Sequence, residues 1–178
     1  MMKLFKTESA EPEVIETIVR IHHDAVHQGE ARQFYGQEIL NDWSQPLTKQ
    51  RILDLKQKMA ESRSVGLISC LNGEPVGFGI LDLDQERIGA IYVKAAFTGR
   101  GIGKRLLQEL EKIALQKGHG KLKLDSSLNA KAFYQKHGYT QLVEGFFQLP
   151  TGRRMACVKM SKTLTSKSSE CGKTAPLI

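Results

Sequence analysis

The chain has 178 residues, 40% of them hydrophobic and 25% charged, which suits one folded domain and excludes wholesale disorder. No apolar run approaches the ~18 residues that cross a bilayer, so no membrane span is expected. Net charge is +7, from 26 basic and 19 acidic residues, a balance that suits an anionic ligand and equally well serves solubility.

The first eight residues carry no apolar targeting core, which predicts a cytoplasmic protein; residues 1–8 also read as an edge strand. Pro12, acidic neighbours and the spacing of Val14, Ile15, Ile18, Val19 and Val26 predict a helix. Gly29 and Gly36 punctuate an irregular segment holding Phe34, Tyr35 and Trp43, aromatics that suit either the core or a pocket wall. Pro46 introduces a second helix, Leu47 to Ala60, with Ile52, Leu55 and Met59 on one face.

The pattern then turns to strands. Ser64 to Leu71 and Glu74 to Leu83 flank Asn72-Gly73, a strong hairpin signal. A third strand runs through Ile88, Ile91, Tyr92 and Val93. After Gly99 to Gly103, the stripe Leu106, Leu107, Leu110, Ile113 and Ala114 predicts an amphipathic helix from Lys104 to Lys117. A strand at Lys121 to Leu124, a short helix from Asn129 to His137 and strands Tyr139 to Leu149 and Arg153 to Met160 follow. Residues 165–178, rich in Ser, Thr and Lys, read as a disordered tail, leaving 1–164 as the single domain.

Cys70, Cys157 and Cys171 are odd in number and widely spaced, which excludes a disulfide framework and a Cys-x-x-Cys zinc site. His22, His23 and His27 lack the accompanying carboxylate pattern of a known metal site, so no metal is expected.

Thr98-Gly99-Arg100-Gly101-Ile102-Gly103-Lys104 lies between a strand and a helix, where clustered N–H groups and the helix dipole suit a phosphate. Arg105 after Lys104 breaks a Walker A pattern, and the glycine spacing fails the dinucleotide fingerprint. Glycine is expected there because a Cβ would keep phosphate oxygens at a distance.

Thr98 to Gly103 resembles the pyrophosphate loop of the GNAT superfamily of acetyl-CoA-dependent N-acetyltransferases, Gln/Arg-x-x-Gly-x-Gly/Ala. Asn129-Ala130-Lys131-Ala132-Phe133-Tyr134-Gln135-Lys136-His137-Gly138-Tyr139 is similar to that family's Asn-Ala-x-x-Phe-Tyr-x-x-x-Gly-Phe/Tyr segment. The two segments stand in family order about 30 residues apart. Thr98 departs from the usual Gln or Arg, a loss that charge on Arg100 or Lys104 could offset.

The resemblance implies an α+β fold: a mixed, mostly antiparallel twisted sheet of about six to seven strands, flanked by helices and splayed at the acetyl-CoA site. It places the cofactor-binding part at about residues 86–140. Ile91, Tyr92 and Val93 would hold the pantetheine arm, with the Val93 amide polarising the thioester carbonyl. Thr98, Gly99, Arg100, Gly101, Ile102, Gly103 and Lys104 would hold the pyrophosphate. Asn129 would cap the short helix and reach the pantetheine.

Tyr134 is the candidate general acid, since a phenol of pKa about 10 can protonate a thiolate whose conjugate acid lies near 8.5. Glu86, at the start of the strand that leads to Tyr92, is the candidate general base. The implied activity is direct acetyl transfer from acetyl-CoA to an amine, with a small molecule as the expected acceptor. A non-catalytic acyl-CoA-binding module with a macromolecular partner is the alternative. Nucleic acid and membrane are not expected partners, and a homodimer is compatible with the sequence.

Overall fold

Asn72 and Gly73 take positive φ values of 50° and 85°, the backbone of a type I′ turn. They join β2 (Ser64–Leu71) to β3 (Glu74–Asp82) in the hairpin that the Asn-Gly pair predicts. The structure is a computed structural model and describes residues 1–6, 9–61 and 63–165. All but the first residue of the predicted tail lies outside the described residues.

Among the described residues, seven strands form one sheet in the order β1-β2-β3-β4-β5-β7-β6. The others are β1 (Met2–Lys6), β4 (Arg87–Val93), β5 (Lys121–Ser127), β6 (Thr140–Gln148) and β7 (Arg154–Thr163). Every neighbouring pair is antiparallel except β4 and β5, which run parallel. The α+β class and the mixed, mostly antiparallel sheet agree with expectation.

One face of the sheet is covered by α4 (Ile102–Gln116), which buries Leu106, Leu107, Leu110 and Ala114. They pack on Leu81, Ile88, Leu122, Leu124 and Met160, and each such side chain contributes roughly 1.5–3 kcal/mol through burial. The approach is close because β3 carries glycine beneath the helix. A Cβ on Gly79 would stand 2.9 Å from Leu110 Cδ1, and one on Gly77 3.0 Å from the Tyr92 carbonyl.

The other face is covered by α1 (Pro12–Gln28), whose Ile18 and Ile21 meet Ile68, Cys70 and Phe78. Helix α3 (Lys49–Ala60) lays Ile52, Leu55 and Met59 against α1. Its start is fixed by Thr48, whose hydroxyl accepts the Arg51 N–H at 3.1 Å, two residues later than the Pro46 signal suggests.

A further helix, α2 (Gln37–Trp43), stands where the sequence reads as irregular. It is only seven residues long and buries only Leu40 fully, too short a pattern for its period to register. Asn129 lies in a 3-10 turn, Leu128–Ala130, ahead of α5 (Lys131–Lys136). Ala130 occupies the cap of α5 and no side chain caps it, so the capping role expected of Asn129 does not hold. Among the described residues, no helix is long and apolar enough to cross a membrane.

Candidate active site

β4 carries one residue more than its partner. Ile80 faces Ala90 and Leu81 faces Ile88, so Gly89 is the extra residue of a β-bulge that bends the strand. On its other side β4 pairs with β5 only through Arg87 and Lys123. Beyond that rung the two strands part, and the sheet opens along Ile88 to Val93.

Two cavities meet in this opening. The larger, about 310 Å³, runs from Ile91, Tyr92 and Val93 to Thr98, Gly99 and Gly103, with Asn129, Phe133 and Tyr134 on the far wall. The smaller, about 90 Å³, runs back along β4 to Arg87 and Asp125 under Phe147 and Met155. Trp43, Ile91, Tyr92, Ser127, Ala130 and Tyr134 line both.

The glycine loop is built for its backbone. Gly99 and Gly101 have φ of +74° and +77°, and a Cβ on either would meet nothing within 4 Å. Left-handed geometry thus asks for glycine at both positions, in addition to any need to let phosphate oxygens approach. Gly101 is the N-cap of α4, and the first N–H groups of a helix have no intrahelical partner. These donors and the helix dipole make the loop a fit for phosphate.

Thr98 turns its hydroxyl back to donate to the Ala95 carbonyl at 2.9 Å. The Arg100 guanidinium stands 5.3 Å from the centre of the Phe97 ring. Asp24 of α1 accepts the Ala95 N–H at 2.7 Å, which ties the segment after β4 to the opposite layer. Arg100, Gly101, Ile102 and Lys104 carry the chain into α4 outside the cavity lining.

Asn129 lines the larger cavity, and its buried Oδ1 has no hydrogen-bond partner. A desolvated amide oxygen of this kind costs about 1–3 kcal/mol until a donor reaches it. The secondary amides of a pantetheine arm are such donors.

Tyr134 is 7% exposed and packs edge-on against Phe133 and Tyr139, at centroid distances of 5.1 and 5.6 Å. Burial pushes its phenol well above the ordinary tyrosine value, with the Tyr92 charge adding to the effect. Tyr92 is shifted upward by burial in the same way, partly offset by a hydrogen bond with Trp43. Both phenols therefore stay protonated at neutral pH.

His22 is held between Tyr92 and Trp43, with ring centroids 4.4 and 6.1 Å away. Burial lowers its pKa to about 3, helped by Arg51 and the neighbouring histidines, so the ring is neutral. His23 and His27 stack at 4.2 Å, and the His27 Nε2 lies 2.9 Å from the Ser44 carbonyl.

Glu86 is not brought to either cavity. Its carboxylate lies 3.0 Å from His119 Nδ1 and its side chain is 47% exposed. Glu86 precedes Tyr92 by six positions, roughly 20 Å of extended chain. Phe34 faces solvent at 49% exposure. Tyr35 donates to the Ala156 carbonyl at 2.8 Å and accepts the Leu128 N–H at 2.7 Å. Arg87, Asp125 and Ser127 join the site without any sequence signal beyond their place on β4 and β5.

The family model described as the acetyltransferase (GNAT) family matches residues 23–139. The chain belongs to the GNAT acetyltransferase family. This GNAT chain is 28% identical over 109 residues to the uncharacterized N-acetyltransferase YafP of Escherichia coli (strain K12). The match covers 61% of the chain and 64% of the relative, so it spans somewhat less than two thirds of that protein. A crystal structure of a GCN5-related N-acetyltransferase from Rhodopseudomonas palustris is 26% identical, with a TM-score of 0.79 over 92% of this chain and 95% of that one. The PaiA N-acetyltransferase of Thermoplasma acidophilum, solved in complex with coenzyme A, shares the GNAT fold at 19% identity and a TM-score of 0.67, over 92% and 99% of the two chains.

Proposed function

We propose that this GNAT chain transfers the acetyl group of acetyl-CoA directly to a primary amine, with both substrates bound together. The observation that carries the reading is the place of Tyr134, on the wall common to two cavities that meet where β4 and β5 part. One leads to the glycine loop and suits an acyl donor with a pyrophosphate; the other suits an amine.

Ile91, Tyr92 and Val93 offer backbone groups that β5 does not use, which can hold the amides of the pantetheine arm and place an N–H on the thioester oxygen. Thr98 to Lys104 bind the pyrophosphate, and Asn129 Oδ1 accepts a donor from the arm. The amine nitrogen forms a C–N bond to the acetyl carbon as the C–S bond breaks. The amine gives up one proton to solvent, and Tyr134 gives one to the departing sulfur and is reprotonated from water. The phenol is protonated at neutral pH and so holds the proton to give, although burial makes it a weaker acid than a free tyrosine. Glu86, which precedes β4, lies outside both cavities and is engaged by His119, so it is not assigned as the base.

Calorimetric titration with acetyl-CoA, with ATP and NADH as controls, tests the donor half of this reading. Stoichiometric micromolar binding of acetyl-CoA alone is expected. Absence of binding overturns it.

A further inference from the structure

The smaller cavity contains one charged pair. Arg87 Nη2 and Asp125 Oδ2 lie 2.5 Å apart with side chains 30% and 17% exposed, and both line the chamber. Trp43, Tyr92, Phe147 and Met155 add aromatic and apolar side chains to its wall. Lys159 sits directly across the β5–β7 ladder from Asp125, and residues so paired share a face of the sheet. Lys159 is exposed and outside the lining, so the chamber itself holds one cation and one carboxylate, already paired with each other.

The one carboxylate is already engaged by Arg87, which leaves little to hold a multiply cationic amine, while the guanidinium keeps donors for an acceptor that brings its own anion. Arg87 makes a single hydrogen bond to Asp125, whereas a guanidinium has five N–H donors in a planar fork. The remainder suit a carboxylate. Tyr134 lines the same 90 Å³ chamber, a volume that suits a small acceptor.

Resting on the transferase reading above, we propose that the acceptor is a small amino carboxylate of the α-amino acid type, its carboxylate held by Arg87 and its amine directed at Tyr134. Asp125 orients the guanidinium and meets the incoming ammonium, and the apolar wall receives the side chain.

The test follows thiol release from acetyl-CoA with the proteinogenic amino acids, each beside its decarboxylated amine. Acetyl-CoA binding is measured calorimetrically on the same samples. At least one amino acid is expected to exceed its amine in kcat/KM by about 10- to 100-fold, the scale of a charge-assisted bidentate contact. The paired change Arg87→Gln with Asp125→Asn, which strands no charge, should bring that ratio to about one with acetyl-CoA affinity retained. Should that protein lose acetyl-CoA, Arg87→Lys replaces it and must cut the ratio severalfold. Equal use of acid and amine, a ratio that survives the substitutions, or no amino acid acetylated while acetyl-CoA binds, each overturns the proposal. Failure of the wild type to bind acetyl-CoA instead removes the transferase reading beneath it.

Discussion

The phenolic oxygen of Tyr35 accepts a hydrogen bond from the Leu128 N–H at 2.7 Å, joining positions 93 residues apart. The same hydroxyl donates to the Ala156 carbonyl, so one oxygen ties the segment after α1 to β7 and to the turn that carries Asn129. Tyr35→Phe removes both bonds and leaves a donor and an acceptor without partners. A loss of about 1–3 kcal/mol is expected by urea denaturation, together with weaker acetyl-CoA binding as the Asn129 turn loosens. Unchanged stability would show that water replaces the hydroxyl.

Tyr134→Phe keeps the ring packing and removes the proton. A fall in kcat of about 100-fold or more is expected, with acetyl-CoA affinity little changed. Burial raises the Tyr134 phenol above its ordinary value, so the acid form persists further into alkaline solution. The kcat profile should therefore show no falling limb near pH 10, where an exposed tyrosine would ionise. A limb there would place the phenol in water or the acid elsewhere.

His22, lowered to a pKa of about 3, is neutral in the native protein but charges near 6.5 once unfolded. Its folded value lies below its unfolded one, so the native state is favoured above pH 6.5 and loses ground as pH falls towards 3. The loss is up to about 1.4 kcal/mol per pH unit. His22→Leu should flatten the fall in urea stability between pH 6.5 and 5 by up to about 2 kcal/mol. Parallel curves for the two proteins would contradict the assignment.

Gly101→Val places a β-branched side chain at φ of +77°, at a cost of roughly 1–2 kcal/mol in backbone strain. The N-terminus of α4 must then rearrange, and acetyl-CoA affinity should fall at least tenfold by calorimetry. Gly79→Val acts elsewhere, by driving α4 off β3 at Leu110. It should cost about 1–3 kcal/mol in stability, read from urea unfolding.

What the sequence made legible was what local chemistry decides. Asn72-Gly73, the α4 stripe and the glycine loop each depend on residues within a few positions of one another. The site's other wall depends on contacts across the whole chain. Trp43 reaches both cavities from a helix of seven residues, and Tyr35 acts through a bond that no periodicity announces. Nearness in sequence to Tyr92 favours Glu86, but six positions along an extended strand are a long way in space. The bulge at Gly89 is marked in the sequence only by a lone glycine within the strand, a signal that a close backbone approach would also leave.

A sheet joined across its middle by the Arg87–Lys123 rung alone is a sheet with a row of connections left open. A bound chain of amides would fill that row as a short additional strand does, so the substrate would become part of the scaffold. Folding and occupancy are then linked quantities: stability gained is RT ln(1 + [L]/Kd), about 2.7 kcal/mol at a hundredfold excess over Kd. The melting temperature thereby becomes a gauge of donor loading, and turnover, which exchanges one ligand for another in the same gap, can be followed as a change in the rigidity of the sheet itself.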